Sequence, residues 1–145
     1  MDKIKVKRLR DGAVLPTYGT EFSAGADLYA CLEETVTIGP GETKAIPTGL
    51  AIELPASTAG LVFARSSLGT KRGLAPANKV GVIDSDYRGE LMVVLHNHGK
   101  EAQQIAPGER VAQLLVVPVF TPGFLEAEEL SDTVRGTGGF GSTGK

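Results

Sequence analysis

The sequence contains a single cysteine, Cys31, and lacks several features that mark specialised classes of protein. One cysteine excludes an internal disulfide framework and a zinc site built from several cysteines. The N-terminal residues MDKIKVKRLR lack the apolar run of a signal peptide, and no stretch is apolar for long enough to cross a membrane. We therefore expect a cytoplasmic protein with no membrane partner.

Basic residues are not in excess. Fifteen Lys and Arg stand against seventeen Asp and Glu, which gives a formal net charge of −2. A nucleic-acid-binding surface typically needs a basic excess or stripe, so we expect no nucleic acid partner. His96 and His98 alternate on a predicted strand, but the sequence has no third histidine. We interpret these two as surface or subunit-contact residues rather than as zinc ligands.

Helix signals are nearly absent, and the hydrophobic pattern has a period of two. Seven segments predict strands, most of them separated by Gly, Pro, Asn or Asp: KIKVK, TVTIGPG, GLAIELP, AGLVFA, VGVI, ELMVVLH and RVAQLLVVPVF. The last two are apolar on both faces, which predicts burial on both sides. LEAEEL could form one or two helical turns. Short strands at roughly ten-residue spacing predict one all-β domain, a sandwich or barrel of the jelly-roll kind.

Polar groups interrupt this alternation at two places. In FARSSLGTKRG, Arg65, Ser66 and Ser67 follow an apolar strand. They could bind phosphate oxygens, or a serine could be the N-cap of a short helix. Gln113 lies between apolar neighbours in RVAQLLVVPV, and a buried amide needs a partner in the backbone, in water or in a ligand.

The segment ANKVGVIDSDYRGEL predicts a β-hairpin with its tip at residues 84–89. Its Asp-Ser-Asp sequence is ordinary turn chemistry, but Tyr87 is a large aromatic where small polar residues are preferred. Asn78 at the start of the segment can present a donor and acceptors to a base edge. The segment is therefore either an ordinary turn or part of a nucleoside pocket.

The last eleven residues, RGTGGFGSTGK, match the spacing G-x-x-x-x-G-K of a phosphate-binding P-loop. A P-loop also needs a following helix whose N-terminus points at the phosphates, and no residue of this sequence follows Lys145. We therefore do not expect a P-loop. The tail is either a frayed terminus or an arm that becomes ordered on a ligand.

Five segments, in this order and spread over nearly the whole chain, resemble the motifs of the trimeric deoxyuridine triphosphatases (dUTPases). They are AGADLYA (24–30), ARSSLG (64–69), GVIDSDYRGEL (81–91), RVAQLLVVPV (110–119) and RGTGGFGSTG (135–144). The resemblance implies hydrolysis of dUTP to dUMP and pyrophosphate with Mg²⁺, which limits uracil incorporation into DNA and supplies dUMP for thymidylate synthesis. It also implies a homotrimer of jelly-roll subunits, each with a β domain at 1–134. A flexible arm at 135–145 would complete an active site on another subunit.

The resemblance assigns roles to individual residues. Asp84 matches the carboxylate that activates the attacking water, and Tyr87 matches the ring that packs on the deoxyribose and leaves no room for a 2′-hydroxyl. Asp27 matches an acidic residue that supports the magnesium environment, indirectly and through water. The other matching residues would bind the substrate: Arg65, Ser66, Ser67, Asn78, Val82, Ile83, Met92, Gln113, Arg135, Phe140, Ser142 and Thr143.

Within that set the resemblance distinguishes base, phosphate and arm contacts. Asn78 and the backbone at residues 82–83 would read uracil, and Met92 would line the same pocket. Residues 65–67 and Gln113 would contact the phosphates, with Ser67 standing where the family often has glycine. Phe140 would stack on uracil while Arg135, Ser142 and Thr143 hold the γ-phosphate.

Two alternatives remain at this point. A dCTP deaminase has a similar fold and reads a similar triphosphate, but DSDYRG and the arm with Phe140 look like the hydrolase. A jelly-roll protein could also use the pocket as a nucleotide sensor without catalysis. Asp84 and the complete arm argue against that reading.

Overall fold

The predicted alternating segments form short antiparallel strands. The structure is a computed structural model that describes residues 3–144; Met1 and Asp2 of the predicted domain and Lys145 of the predicted arm lie outside the described residues. The described chain contains twelve strands: β1 Lys5–Arg8, β2 Thr17–Tyr18, β3 Ala26–Tyr29, β4 Val36–Ile38, β5 Thr43–Pro47, β6 Leu50–Glu53, β7 Thr58–Phe63, β8 Leu74–Pro76, β9 Gly81–Ile83, β10 Met92–Asn97, β11 Gln103–Ile105 and β12 Arg110–Pro118. One π-helical turn, Ser67–Lys71, follows β7. No helix of the described chain has the length and apolarity to cross a membrane.

The strands form a five-stranded sheet, a three-stranded sheet and two strand pairs. The large sheet has the order β2-β3-β12-β7-β9, and the smaller one has the order β5-β10-β8. β1 pairs with β6, and β4 pairs with β11. In the large sheet β12 lies between β3 and β7, which places Gln113 opposite both Asp27 and Phe63. This register brings Asp27 on β3, Gln113 on β12 and the end of β7, which Arg65 follows, to one part of the sheet.

The side chains on the inner strand faces form one hydrophobic core. Leu28, Ile38, Ile46, Leu95 and Val111 are among its fully buried members and come from five different strands. Burying an aliphatic side chain of this size contributes about 1.5–3 kcal/mol relative to leaving it in water. The architecture is all-β and jelly-roll-like, as predicted.

Three details of the sequence-based prediction are wrong. β9 pairs with β7, whereas β10 pairs with β5 and β8, so the predicted hairpin does not form and its two arms belong to different sheets. The segment LEAEEL forms no helix. The strands that are apolar on both faces are buried on only one face in the single chain, because Met92, Val94 and Val116 are exposed.

The chain after β12 has no strand or helix up to residue 144. Several large apolar side chains of this segment are almost fully exposed: Phe120, Phe124, Leu125, Leu130 and Val134. The hydrogen bonds of residues 135–144 stay within residues 133–144. The predicted division of the chain at residue 135 stays a prediction.

Candidate functional site: two separate clefts

An apolar cleft opens where β9 and β10 diverge into their two sheets. Five of the predicted substrate-binding residues line it: Asn78, Val82, Ile83, Tyr87 and Met92. β9 is the last strand of the large sheet, so one side of its backbone carries no strand partner in the described chain. Unpaired N–H and C=O groups of an edge strand can hydrogen-bond a planar ligand much as they would bond a further strand.

The Tyr87 ring lies at the mouth of this cleft and is fixed by local hydrogen bonds. Its hydroxyl donates to the Glu90 carbonyl oxygen at 3.0 Å. Its backbone N–H donates to the Asp84 carbonyl oxygen at 3.1 Å, which closes the turn that follows β9. The side chain is 46% exposed, so the ring can contact both the pocket wall and a ligand.

A second, polar cleft is centred on Asp27. It is lined by Gly19, Ser23, Ala24, Gly25, Asp27, Arg65, Ser66, Arg110 and Gln113. Asp27 Oδ1 accepts a hydrogen bond from Arg65 Nε at 2.7 Å, and Oδ2 accepts one from Arg110 Nη1 at 3.3 Å. Because Arg65 uses Nε for this bond, its terminal nitrogens remain as donors for an anion.

Gln113 contributes to the polar cleft while its amide is satisfied by the backbone. Gln113 Nε2 donates to the Ala64 carbonyl oxygen at 2.9 Å, which is the backbone partner that its position in the strand required. Its Oε1 faces Gly25, where a Cβ atom would lie only 2.5 Å away. Glycine at position 25 therefore leaves space for this amide beside the cleft.

The serines after Arg65 differ in their environments. A short helical turn does follow them, with Ser66 at the N-cap position, but the Ser66 side chain makes no capping hydrogen bond. The hydroxyl thus remains available, and Ser66 lines the polar cleft. Ser67 is the first residue of the π-helical turn and lines neither of the two clefts.

The two clefts share no lining residue. Asp84 lines neither cleft. The predicted arm residues are also apart from both: Arg135, Phe140, Ser142 and Thr143 are exposed. Phe140 is the most exposed large apolar side chain among the residues described.

The acidic and imidazole groups of the described chain do not form a metal cage. No cluster of three or more His, Cys, Asp or Glu residues suited to a metal occurs within residues 3–144. Both carboxylate oxygens of Asp27 already bind guanidinium groups. Mg²⁺ commonly keeps several waters and binds through substrate phosphates. The Asp27 cleft fits an ion held in that way better than an ion ligated directly by the protein.

The two histidines lie at the far end of β10. His96 Nδ1 is 2.8 Å from Thr43 Oγ1, and the two imidazole rings meet edge to face with centroids 4.5 Å apart. Desolvation lowers the pKa of His98, and the nearby charges of Lys79 and His96 lower it further. Nothing in this arrangement connects the pair with either cleft.

Several residues in and beside the clefts were not predicted from the sequence, and four of them shape the geometry described above. Arg110 is the second partner of Asp27, and Gly25 makes room for Gln113. Glu90 lines the apolar cleft, and Gly89 lies directly beneath the Tyr87 ring. One usable signal was their position, since Gly89 and Glu90 directly follow the DSDYR segment.

Comparison with known proteins shows similarity over the full length. A sequence model of the dUTPase family matches residues 11–144. Deoxyuridine 5′-triphosphate nucleotidohydrolase of Desulfitobacterium hafniense (strain DSM 10664 / DCB-2) is 52% identical, with 99% of each chain covered. The protein of the same name from Neisseria gonorrhoeae (strain NCCP11945) is 53% identical, covering 98% of this chain and 95% of that protein.

Solved structures show the same likeness in three dimensions. A mutant dUTPase of Staphylococcus bacteriophage 80alpha with dUpNHpp has a TM-score of 0.92 at 29% identity, with both chains covered completely. A mutant dUTPase from phage phi11 of S. aureus, described with a structural Mg(II) ion, has a TM-score of 0.80 at 27% identity, covering 88% of this chain and 98% of that one. Since the family match spans far more than half of the sequence, and relatives above 50% identity span nearly all of it, the chain belongs to the dUTPase family.

Proposed function

We propose that this protein hydrolyses dUTP to dUMP and pyrophosphate, and so limits uracil incorporation into DNA while supplying dUMP for thymidylate synthesis. The observation that carries the proposal is the apolar cleft between β9 and β10, which combines a free strand edge with an amide and an aromatic ring. Relatives at about half identity bear the name of this activity. No feature of the clefts favours deamination or binding without catalysis.

The apolar cleft is suited to a deoxyuridine. The backbone groups at Val82 and Ile83 can pair with the uracil edge, and the Asn78 amide can add a donor and an acceptor. Tyr87 would pack on the deoxyribose, so that a ribose must displace the ring or leave its 2′-hydroxyl without a partner. Burying a hydroxyl without a partner is costly, which makes such a pocket selective.

The polar cleft is suited to the triphosphate. Arg65 and Ser66 supply donors for phosphate oxygens, and Arg110 adds a second guanidinium. Ser67 would contribute through its backbone rather than through its hydroxyl, and Gln113 would hold the Ala64 carbonyl and the cleft wall in place. Asp27 keeps both arginines oriented by accepting from each of them.

Asp84 is our proposed general base. It follows β9 directly, so its carboxylate is carried by the same strand that would bind the base. There it can orient a water molecule and accept its proton as the water attacks the α-phosphorus. The bond to pyrophosphate breaks in the same step, and the polar cleft holds the leaving pyrophosphate. Mg²⁺, when bound, would neutralise charge on the phosphate oxygens, and Asp27 would support it through ordered water.

The separation of the two clefts supports a homotrimer with shared sites. One chain holds both halves, but the halves have no lining residue in common. The exposed apolar side chains on β10, on β12 and in the segment after β12 provide surface that association would bury. We propose that the arm at 135–145 then closes a site on another subunit, with Phe140 over the base and Arg135, Ser142 and Thr143 on the γ-phosphate. Cytoplasmic localisation stays a prediction.

The experiment that tests this function is pyrophosphate release from a panel of nucleoside triphosphates in the presence of magnesium. We expect turnover of dUTP and little turnover of UTP, dCTP or dTTP. Ammonia release from dCTP would instead indicate a deaminase. Binding of dUTP without hydrolysis would indicate a sensor, and either result would contradict the proposal.

A further inference from the structure

We propose that Glu90 is a positioning residue for Tyr87, and that Gly89 supplies the space in which the Tyr87 ring lies. Together they would set the selectivity for deoxyribose. The inference rests on the proposed function, because it concerns the ring that would pack on the sugar. All the contacts on which it depends are made between residues of this single chain.

The ring of Tyr87 folds back over Gly89. A Cβ atom at Gly89 would lie 2.4 Å from the Tyr87 hydroxyl oxygen and 2.6 Å from the ring carbon that bears it. Even an alanine at position 89 would therefore push the ring outwards. The ring tip reaches past this glycine to the Glu90 carbonyl oxygen, to which the hydroxyl donates at 3.0 Å. The position of the ring thus depends on the position of the Glu90 backbone.

The Glu90 side chain ties that backbone to a part of the fold outside the cleft. Its Oε1 accepts a hydrogen bond from the Gly49 N–H at 2.7 Å. Its Oε2 accepts one from Arg10 Nη2, also at 2.7 Å, and the side chain is only 20% exposed. The bond from the Gly49 N–H is charge-assisted and part-buried, whereas the Arg10 side chain is 43% exposed and its ion pair contributes less.

The partner at Gly49 is itself fixed. Gly49 has a φ of +69°, and a Cβ there would lie 2.9 Å from both Ala13 Cβ and Cys31 Sγ. Gly49 is therefore closely packed against its neighbours. Glu90 joins the loop that carries Tyr87 to this packed part of the fold.

The strand beyond Glu90 is held independently, so loss of the carboxylate should loosen the loop without unfolding the protein. The Leu91 N–H donates to the Leu50 carbonyl oxygen at 2.8 Å. The Thr48 hydroxyl donates to the Leu91 carbonyl oxygen at 2.7 Å. Leu91 itself is buried in the core. The Leu91 N–H and the Glu90 carbonyl belong to one planar peptide group, so the acceptor of the Tyr87 hydroxyl is also held by this bond. The expected consequence of losing the carboxylate is therefore greater mobility of the residues before this peptide, which carry the Tyr87 ring, on an intact fold.

The test compares the ratio of kcat/KM for dUTP to kcat/KM for UTP in wild type and variants. Glu90→Ala should lower this ratio roughly tenfold, the equivalent of one lost hydrogen bond. Glu90→Gln should keep most of the ratio, since its amide oxygen can still accept from the Gly49 N–H. Glu53→Ala is the matched control, because Glu53 also binds a basic residue near the N-terminus but is not near Tyr87.

Two further variants keep the result interpretable. Glu90→Asp shortens the side chain by one methylene and so withdraws the carboxylate from its two partners. It should also lower the dUTP-to-UTP ratio, and it takes the place of Glu90→Ala if the alanine variant does not fold. Ile105→Val destabilises the core at β11, away from the cleft, and should leave the ratio unchanged. A wild type that does not hydrolyse dUTP would refute the proposed function before any variant is made. A selective wild type with an equally selective Glu90→Ala would refute the positioning role alone.

Gly89 is tested by a double-mutant cycle with Tyr87. Gly89→Ala should lower the dUTP-to-UTP ratio by displacing the ring. In a Tyr87→Ala background the same substitution has no ring to displace and should leave the ratio where Tyr87→Ala puts it. Equal effects of Gly89→Ala in the two backgrounds would show that the glycine acts on something other than the ring, and would overturn this part of the proposal.

Discussion

Deletion of residues 135–145 separates catalysis from folding more cleanly than any single substitution. In the structure the hydrogen bonds of residues 135–144 stay within residues 133–144, and Phe140 is fully exposed. Among the described residues the deletion therefore removes no hydrogen bond to a strand, and the last strand ends at Pro118. We expect the free energy of unfolding to change by less than about 0.5 kcal/mol, as for surface changes that touch nothing.

The same deletion should strongly lower kcat/KM for dUTP. Stacking of an aromatic side chain on a base is worth about 1–3 kcal/mol. A hydrogen bond from a charged group such as the Arg135 guanidinium to a phosphate adds about 1.5–3 kcal/mol. If both act in the transition state, the sum of about 2.5–6 kcal/mol corresponds to a loss of roughly 10²–10⁴-fold in kcat/KM. Closure over the substrate also excludes water and aligns the reacting groups.

The assay combines thermal unfolding, size measurement and pyrophosphate release on the full and truncated chains. We expect the same melting temperature, the same oligomer size and the stated loss of activity. Truncated protein that hydrolyses dUTP as well as the full chain would show that the tail is merely frayed. A truncated protein that unfolds or dissociates would show that the tail does stabilise the fold or the oligomer, contrary to this expectation.

Mixed oligomers test whether the arm acts on another subunit. A truncated chain keeps Asp84 but lacks the arm, whereas an Asp84→Asn chain keeps the arm but lacks the base. Each chain alone should show only the residual activity that its own defect leaves. Unfolding and refolding the two together should restore activity if sites combine residues of different chains. A mixture as inactive as its components would indicate that each arm serves its own chain.

The remaining predictions are three. Asp84→Asn should fold and bind dUTP but lose about 10²–10⁴-fold in turnover, the usual contribution of a general base; turnover near the wild-type rate would remove Asp84 from the mechanism. Tyr87→Ala should weaken dUTP binding and narrow the gap between dUTP and UTP, and an unchanged ratio of their kcat/KM values would place sugar selectivity elsewhere. The pKa of His98 is lowered in the fold, chiefly by desolvation, so the folded state binds fewer protons than the unfolded chain and loses stability as pH falls below the ordinary histidine value of 6.5. The melting temperature of His98→Asn should therefore fall slightly less than that of wild type when the pH is lowered from neutral to below 6.5. An equal fall in the two proteins would contradict this.

Sequence pattern was sufficient for the strands whose faces differ in polarity. In GLAIELP, Leu50, Ile52 and Leu54 are buried and Glu53 is exposed, as the alternation predicts, while Ala51 on the opposite face is buried as well. Strands such as β5 were missed because TKAIP has too few apolar residues to show a period. The hairpin was wrong for a different reason: alternation shows which side chains face inwards but does not identify the neighbouring strand.

The chemistry of the candidate site was readable residue by residue, and its arrangement was not. The kinds of group needed to bind a nucleoside triphosphate occur in five short segments, because a side chain's donors, acceptors and rings are fixed by its identity. Their grouping depends on contacts between residues far apart in the chain, such as Asp27 with Arg110 and Glu90 with Gly49. The sequence therefore determined the all-β class and the inventory of functional groups. Only the tertiary structure decided that β9 and β10 separate, since strand partners are selected by the packing of the whole core, and that separation opens the cleft.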